Sequence, residues 1–208
     1  MLDATCYAER SQQIIEAGRL LYSRGWSPAT SSNYSARIDA GHLAITVSGR
    51  HKGQLTPEDV MVVDLAGRPV QSERKASAET LLHTTLYELF PHVGAVLHTH
   101  SLTATVLSRL LRGQDAVRLR DYELQKAFEG VTTHALELVV PIFDNTQDIP
   151  ALAATTRDYL RAHPATPGYL IRGHGLYTWG RTMADSLRHV EAFEFLLACE
   201  LETIRITR

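Results

Sequence analysis

Cysteine is scarce: the chain has two, Cys6 and Cys199, at opposite ends of its 208 residues. Thiols so placed make neither a disulfide framework nor a metal motif of their own. No apolar run is long enough to cross a bilayer. The opening Met1-Leu2-Asp3 lacks the basic-then-apolar pattern of a signal segment, so cytoplasmic residence is expected. An excess of one charge sign is missing too. The net charge is -2 with histidine neutral, and Lys and Arg are scattered, which excludes the basic stripe of a nucleic-acid partner. There is no internal repeat, low-complexity segment or linker. An apolar content of 44% over this length predicts one domain, residues 1–208, with a full core.

What stands out is Ala95-Val96-Leu97-His98-Thr99-His100. It begins as a buried strand and ends in two histidines one residue apart. In a strand, residues i and i+2 point to the same face, so both imidazoles can aim at one point. A lone histidine after an apolar run is usually packed in the core. A pair in register at the C-terminal end of a strand is better read as half of a metal site, because open α/β sheets put their sites there. A third ligand is offered by Gly173-His174-Gly175. Flanking glycines let the backbone turn sharply and approach a site closely. Three neutral nitrogen donors leave a tetrahedral Zn²⁺ with an open position, the catalytic arrangement.

Periodicity predicts the remaining elements. Helices are expected over residues 4–24, 81–90, 102–111, 149–162 and 183–206, and strands over 34–38, 43–47, 136–141 and the segments around His174. Residues 60–64 and 68–70 flank a Leu65-Ala66-Gly67 turn and predict a hairpin. Ser77 or Thr80 is the expected cap of the second helix, which puts Glu79 in its first turn, where the helix dipole favours a carboxylate with or without chemistry. Trp26-Ser27-Pro28-Ala29-Thr30-Ser31-Ser32-Asn33 is a hydroxyl-rich loop, by itself a surface turn. Ser48-Gly49-Arg50-His51-Lys52-Gly53 is a second small loop, carrying cations. The charge-rich stretch 117–129 reads as a solvated face, and nothing in its composition singles out Glu123.

The segments Ala29-Thr30-Ser31-Ser32-Asn33, Ser48-Gly49, Ser77-Ala78-Glu79, His98-Thr99-His100 and His174-Gly175 together resemble the class II aldolase/adducin superfamily along nearly the whole chain. The segments 24–31, 141–149 and 174–180 resemble a dehydratase branch of it. The resemblance implies an α/β, three-layer fold: a central, mainly antiparallel sheet flanked by helices. It also implies a homotetramer with sites near subunit boundaries and a small ketose-phosphate substrate. It makes His98, His100 and His174 the Zn²⁺ ligands. It assigns Ser48, Gly49, Ser77, Thr30 and Asn33 to the substrate phosphate, and Lys52 joins them on charge grounds. Glu79 matches the catalytic acid of the aldolases; Glu123, beside Tyr122, matches the acid/base of the dehydratases and is the one expected to move the proton. Ser32 departs from a common glycine, so a positive φ there would strain the loop. Two alternatives stand beside the dehydratase: an aldolase, epimerase or decarboxylase on the same scaffold, and an adducin-like interaction module, which would have lost the ligands that this chain keeps.

Overall fold

A computed structural model describes residues 3–207. Its strands are β1 (Asn33–Arg37), β2 (His42–Thr46), β3 (Val60–Asp64), β4 (Ala95–Thr99), β5 (Ala116–Leu119), β6 (Leu138–Phe143), β7 (Gly168–Ile171) and β8 (Gly175–Gly180). Its helices are α1 (Ala4–Ser23), α2 (Thr80–Leu89), α3 (Leu102–Leu110), α4 (Ile149–Ala162) and α5 (Met183–Thr207). The strands form one sheet in the order β3-β2-β1-β4-β8-β7-β6-β5. Every neighbouring pair is antiparallel except β6–β7.

Side-chain alternation divides the core between the two faces of the sheet. On one face Val96, Tyr169, Tyr177 and Trp179 pack against Leu82, Leu86 and Tyr87 of α2 and Leu152 and Leu160 of α4. On the other, Ala95 and Leu97 pack against Ile14, Ala17 and Leu21 of α1 and Val190 of α5. Farther along that face, Leu170 and Leu176 meet Leu107 of α3 and Phe193, Leu196 and Leu197 of α5. The result is helix, sheet, helix, each layer burying the apolar stripe of the next. Strand β4 lies between β1 and β8, so all five of its residues are buried.

Helix ends follow the expected chemistry in most places. Asp148 accepts from the Ala151 N–H at 3.0 Å at the start of α4, with Pro150 in the first turn. Thr182 and Asp185 exchange bonds at the start of α5. Gly25, at φ 76°, follows the cap of α1. The start of α2 differs. Neither Ser77 nor Thr80 caps it; Glu79 occupies the cap position without a side-chain cap bond. Its carboxylate is turned away from the helix, towards the histidines. The hairpin is also slighter than expected: residues 68–70 bond to β3 through Asp64 N–H to Arg68 O and Val70 N–H to Val62 O without forming a strand of their own. The sheet is mainly antiparallel, not the open parallel kind whose strand ends commonly carry sites. The histidine pair still ends a strand, and the antiparallel order is the one that the family resemblance implies.

Candidate metal centre

One end of the sheet collects the site. β4 ends there, β1 begins opposite it with Asn33 paired to His98, and β8 starts at Gly175 and pairs Leu176 with Thr99. β7 ends there as well, and the turn to β8 carries His174. The two flanking glycines have different jobs. Gly173 takes φ 65°, which turns the chain. A Cβ on Gly175 would fall 1.9 Å from the Thr99 carbonyl oxygen, so only glycine lets β8 start this close to β4.

Among the described residues, His98, His100 and His174 bring ligand-capable nitrogens within 4.8 Å of one another. Nδ1 of His98 donates to the Leu176 carbonyl at 2.9 Å, so its Nε2 carries a lone pair. That atom is 3.3 Å from Nε2 of His174, whose Nδ1 faces Asn145 Oδ1. Glu79 adds Oε2 at 3.4 Å from His98 Nε2 and Oε1 at 3.3 Å from His174 Nε2. Lone pairs and carboxylate oxygens that converge in this way repel unless a cation sits among them, so the donor set fits a divalent metal with a free corner. Burial holds the His98 imidazole well below its ordinary range and lowers His100 to about 3. Both are therefore neutral near pH 7, the form a metal binds. The His98 ring is held by stacking on Tyr177 (centroids 4.0 Å, 14°), which stacks in turn on Tyr169.

Beside the histidines lies a cavity of about 300 Å³, lined by Thr30, Asn33, Ser48, Gly49, Lys52, Ser77, Glu79, His100 and His174. Every residue expected to hold phosphate is on its wall. Lys52 is buried and donates from Nζ to the Thr30 and Arg50 carbonyls at 3.2 and 2.6 Å. Burial lowers its pKa to about 8. Ser32 has φ 71° and Gly49 φ 73°. Backbone in this conformation turns successive N–H groups into a concavity suited to an anion. The Asn33 side-chain amide is also engaged inside the chain, donating to Glu79 Oε2 at 2.7 Å and facing His83 with its oxygen.

The two glutamates lie in different surroundings. Glu79 is 12% exposed and its Oε2 also accepts from the Tyr177 hydroxyl at 2.9 Å. Glu123 is 72% exposed, begins a short 3-10 turn and pairs with Lys126 and His134. It does not line the cavity of its own chain. Its neighbour Tyr122 donates to Glu200 at 2.8 Å.

Several residues of the site escaped the sequence reading. Thr146, Gln147 and Ile149 line the cavity and Asn145 faces His174. The polar run after strand β6 was their signal, since a connection leaving a buried strand at a site end is where contacts are built. Tyr177 and Asn33 as partners of Glu79 had no signal, because those bonds join residues 98 and 46 positions apart.

The chain matches the family model described as Class II Aldolase and Adducin N-terminal domain over residues 12–201. It is 71% identical to the methylthioribulose-1-phosphate dehydratase of Marinobacter nauticus, covering 100% of both chains. It is 67% identical to the enzyme of the same name from Hahella chejuensis, covering 99% of each. Among solved structures, L-fuculose-1-phosphate aldolase from Thermus thermophilus superposes with a TM-score of 0.77 at 25% identity, over 97% of this chain and 98% of that one. The family-model match over residues 12–201 and the full-length identity show that the chain belongs to the class II aldolase and adducin N-terminal domain family.

Proposed function

We propose that this chain is a zinc-dependent hydro-lyase of methionine salvage. It converts 5-methylthioribulose 1-phosphate to 2,3-diketo-5-methylthiopentyl 1-phosphate and water. The observation that carries the reading is the three-histidine cluster, opening on a cavity walled by Lys52 and the two small loops. The 71% identity to a protein of that name narrows the substrate.

His98, His100 and His174 would hold the ion, which when bound would supply Lewis-acid polarisation of the substrate's C2 carbonyl oxygen. Ser48, Gly49, Ser77 and Thr30 present hydroxyl and N–H groups to the phosphate on C1, Asn33 lies among them, and Lys52 supplies the cation. Anchoring C1 holds C3 in register with the base. Glu123 removes the C3 proton. The C4–O bond then breaks, the hydroxyl leaves as water after receiving a proton from the same carboxyl or a relayed acid, and the enol ketonises to the 2,3-diketone. Because Glu123 lies off the cavity of its own chain, its role requires a second copy in a homotetramer with sites near subunit boundaries. Glu79 is hemmed in by two donors and two ligand nitrogens. That setting suits a fixed charge beside the metal better than a mobile base.

Incubating the zinc-loaded protein with methylthioribulose 1-phosphate tests the reading. Diketone formation with loss of water is expected. Retro-aldol cleavage to dihydroxyacetone phosphate and an aldehyde would make the chain an aldolase. An inert chain without stoichiometric metal would make it an interaction module.

A further inference from the structure

A buried polar chain runs inward from Glu79, and the proton on each of its members can be assigned. The Glu79 carboxylate only accepts, so the Asn33 amide turns its NH2 group to Oε2, at 2.7 Å. The amide oxygen must then face His83 Nε2, which therefore carries the ring proton. Burial lowers the His83 pKa to about 4, so the ring is neutral and its Nδ1 is an acceptor. The Ser35 hydroxyl donates to Nδ1 at 2.7 Å, and the Tyr87 hydroxyl donates to Ser35 Oγ at 3.0 Å. Every donor in the series points towards the carboxylate. His83, Ser35 and Tyr87 are all buried, where such bonds are strong and reinforce one another.

We infer that His83 is a positioning residue: by donating from Nε2 to the Asn33 oxygen it fixes the orientation of that amide, and so holds the Glu79 side chain in place beside the metal-binding histidines. An Asn side chain has two orientations of nearly equal shape. With the amide reversed, an oxygen would face the carboxylate at hydrogen-bond distance, and the two would repel. His83 is the group that makes the reversed orientation costly, because reversal would set an NH2 donor against the Nε2–H donor. Tyr177 holds the other side of Oε2, and its ring packs edge-on to His83 at 5.6 Å. The carboxylate is thus clamped between two donors that touch the same imidazole.

The inference rests on the proposed dehydratase reaction for its kinetic readout, but not for its structural one. In the zinc-loaded enzyme, His83→Phe fills the space without a donor. It is expected to lower kcat about 10- to 100-fold, with a comparable loss of Zn²⁺ affinity and little change in KM. His83→Gln keeps an N–H near the Nε2 position and recovers part of both. Because His83 acts through Asn33, adding His83→Phe to Asn33→Ala should deepen the single-variant loss little. Losses that multiply in the double variant would mean a packing role and overturn the inference. Should the phenylalanine variant fail to fold, the ring of the native metal-loaded protein still decides. With ¹⁵N-labelled histidine, NMR should find His83 protonated on Nε2 alone from pH 5 to 8, and an Nδ1–H tautomer overturns the assignment. A native enzyme inert on the ketose phosphate would sink the proposed function, while the Zn²⁺ titrations and the tautomer would still test His83.

Discussion

Gly175 and Thr99 touch where no side chain fits: a Cβ on Gly175 would lie 1.9 Å from the Thr99 carbonyl oxygen and 3.3 Å from the His100 Cα. The contact sets the start of β8 against the end of β4, and with it the distance from His174 to His100. Gly175→Ala should push the strands apart, lower stability by about 3 kcal/mol and abolish stoichiometric metal binding. Gly49→Ala is the control. It has open space around it and only a φ of 73° against it, so it should cost about 1–2 kcal/mol and leave metal binding intact. Denaturant midpoints and metal analysis of both proteins check this, and equal behaviour would refute it.

Ser32 holds a left-handed φ of 71°, and its hydroxyl is buried without a hydrogen-bond partner. Glycine takes that φ without strain and removes the unpaired group, against the greater entropy of its unfolded chain. Ser32→Gly should therefore stabilise the protein by about 1 kcal/mol. A lower denaturant midpoint would show that the serine is not strained.

Substrate affinity should depend on pH through Lys52. Burial, its largest influence, disfavours the charged form, with partial compensation from Asp59, and the pKa falls to about 8. A lowered lysine pKa means that the cation is lost earlier as pH rises. KM for the phosphorylated substrate should thus stay level near neutrality and climb through pH 8 and above. Lys52→Met should raise KM at pH 7 about tenfold or more, equivalent to about 1.4 kcal/mol, and erase the alkaline rise. A native KM that stays flat to pH 9.5 would separate Lys52 from the phosphate.

Chelation should abolish turnover and lower the melting temperature, and Zn²⁺ should restore both. A metal that binds only the folded chain stabilises it by about 4 kcal/mol at a thousandfold excess over Kd. His174→Ala should melt at the same temperature with and without Zn²⁺. A metal-dependent shift that persists in this variant would remove His174 from the ligand set.

The two glutamates can be told apart by substitution and mixing. Glu123→Gln should lose most turnover, by a factor of about 100 or more, while binding Zn²⁺ normally. Glu79→Gln should weaken Zn²⁺ binding as well. If a neighbouring copy delivers Glu123, mixed oligomers of Glu123→Gln and His98→Ala chains should regain activity that neither has alone. No recovery on mixing, with subunit exchange demonstrated, would confine the reaction to one chain.

The residues that were readable in advance are those whose geometry is local. His98 and His100 stand two apart on a strand, and the glycines around His174 announce a turn and a close approach. The helices and most strands followed from periodicity to within a residue or two, as in α4, where Asp148 and Pro150 mark the start. But β5 lies in the stretch read as a solvated face, because Val117 and Leu119 bury inward while only Arg118 between them is exposed. The antiparallel sheet order did not come from periodicity, because strand pairing joins distant residues; it came with the family resemblance. Capping by Ser77 would set Glu79 inside the first turn of α2, where the helix dipole favours a carboxylate. It stands instead at the cap position, its carboxylate drawn to Asn33 and Tyr177, because tertiary bonds outweigh a local preference worth a few tenths of a kcal/mol to about one. Glu123 is exposed and paired with Lys126 and His134, so neither its composition nor its surroundings on its own chain single it out.

The single parallel neighbour pair, β6 beside β7, has an architectural consequence. Parallel strands cannot be joined by a tight hairpin, so the chain must leave β6 at the histidine end, travel back through α4 and re-enter. The exit segment, with Thr146, Gln147 and Ile149, overhangs the cavity and supplies none of the three imidazoles. Lengthening or rewriting that overhang would reshape what the cavity admits while the cation's own cage stays unaltered, which makes it the natural place to retune this scaffold towards a different ketose.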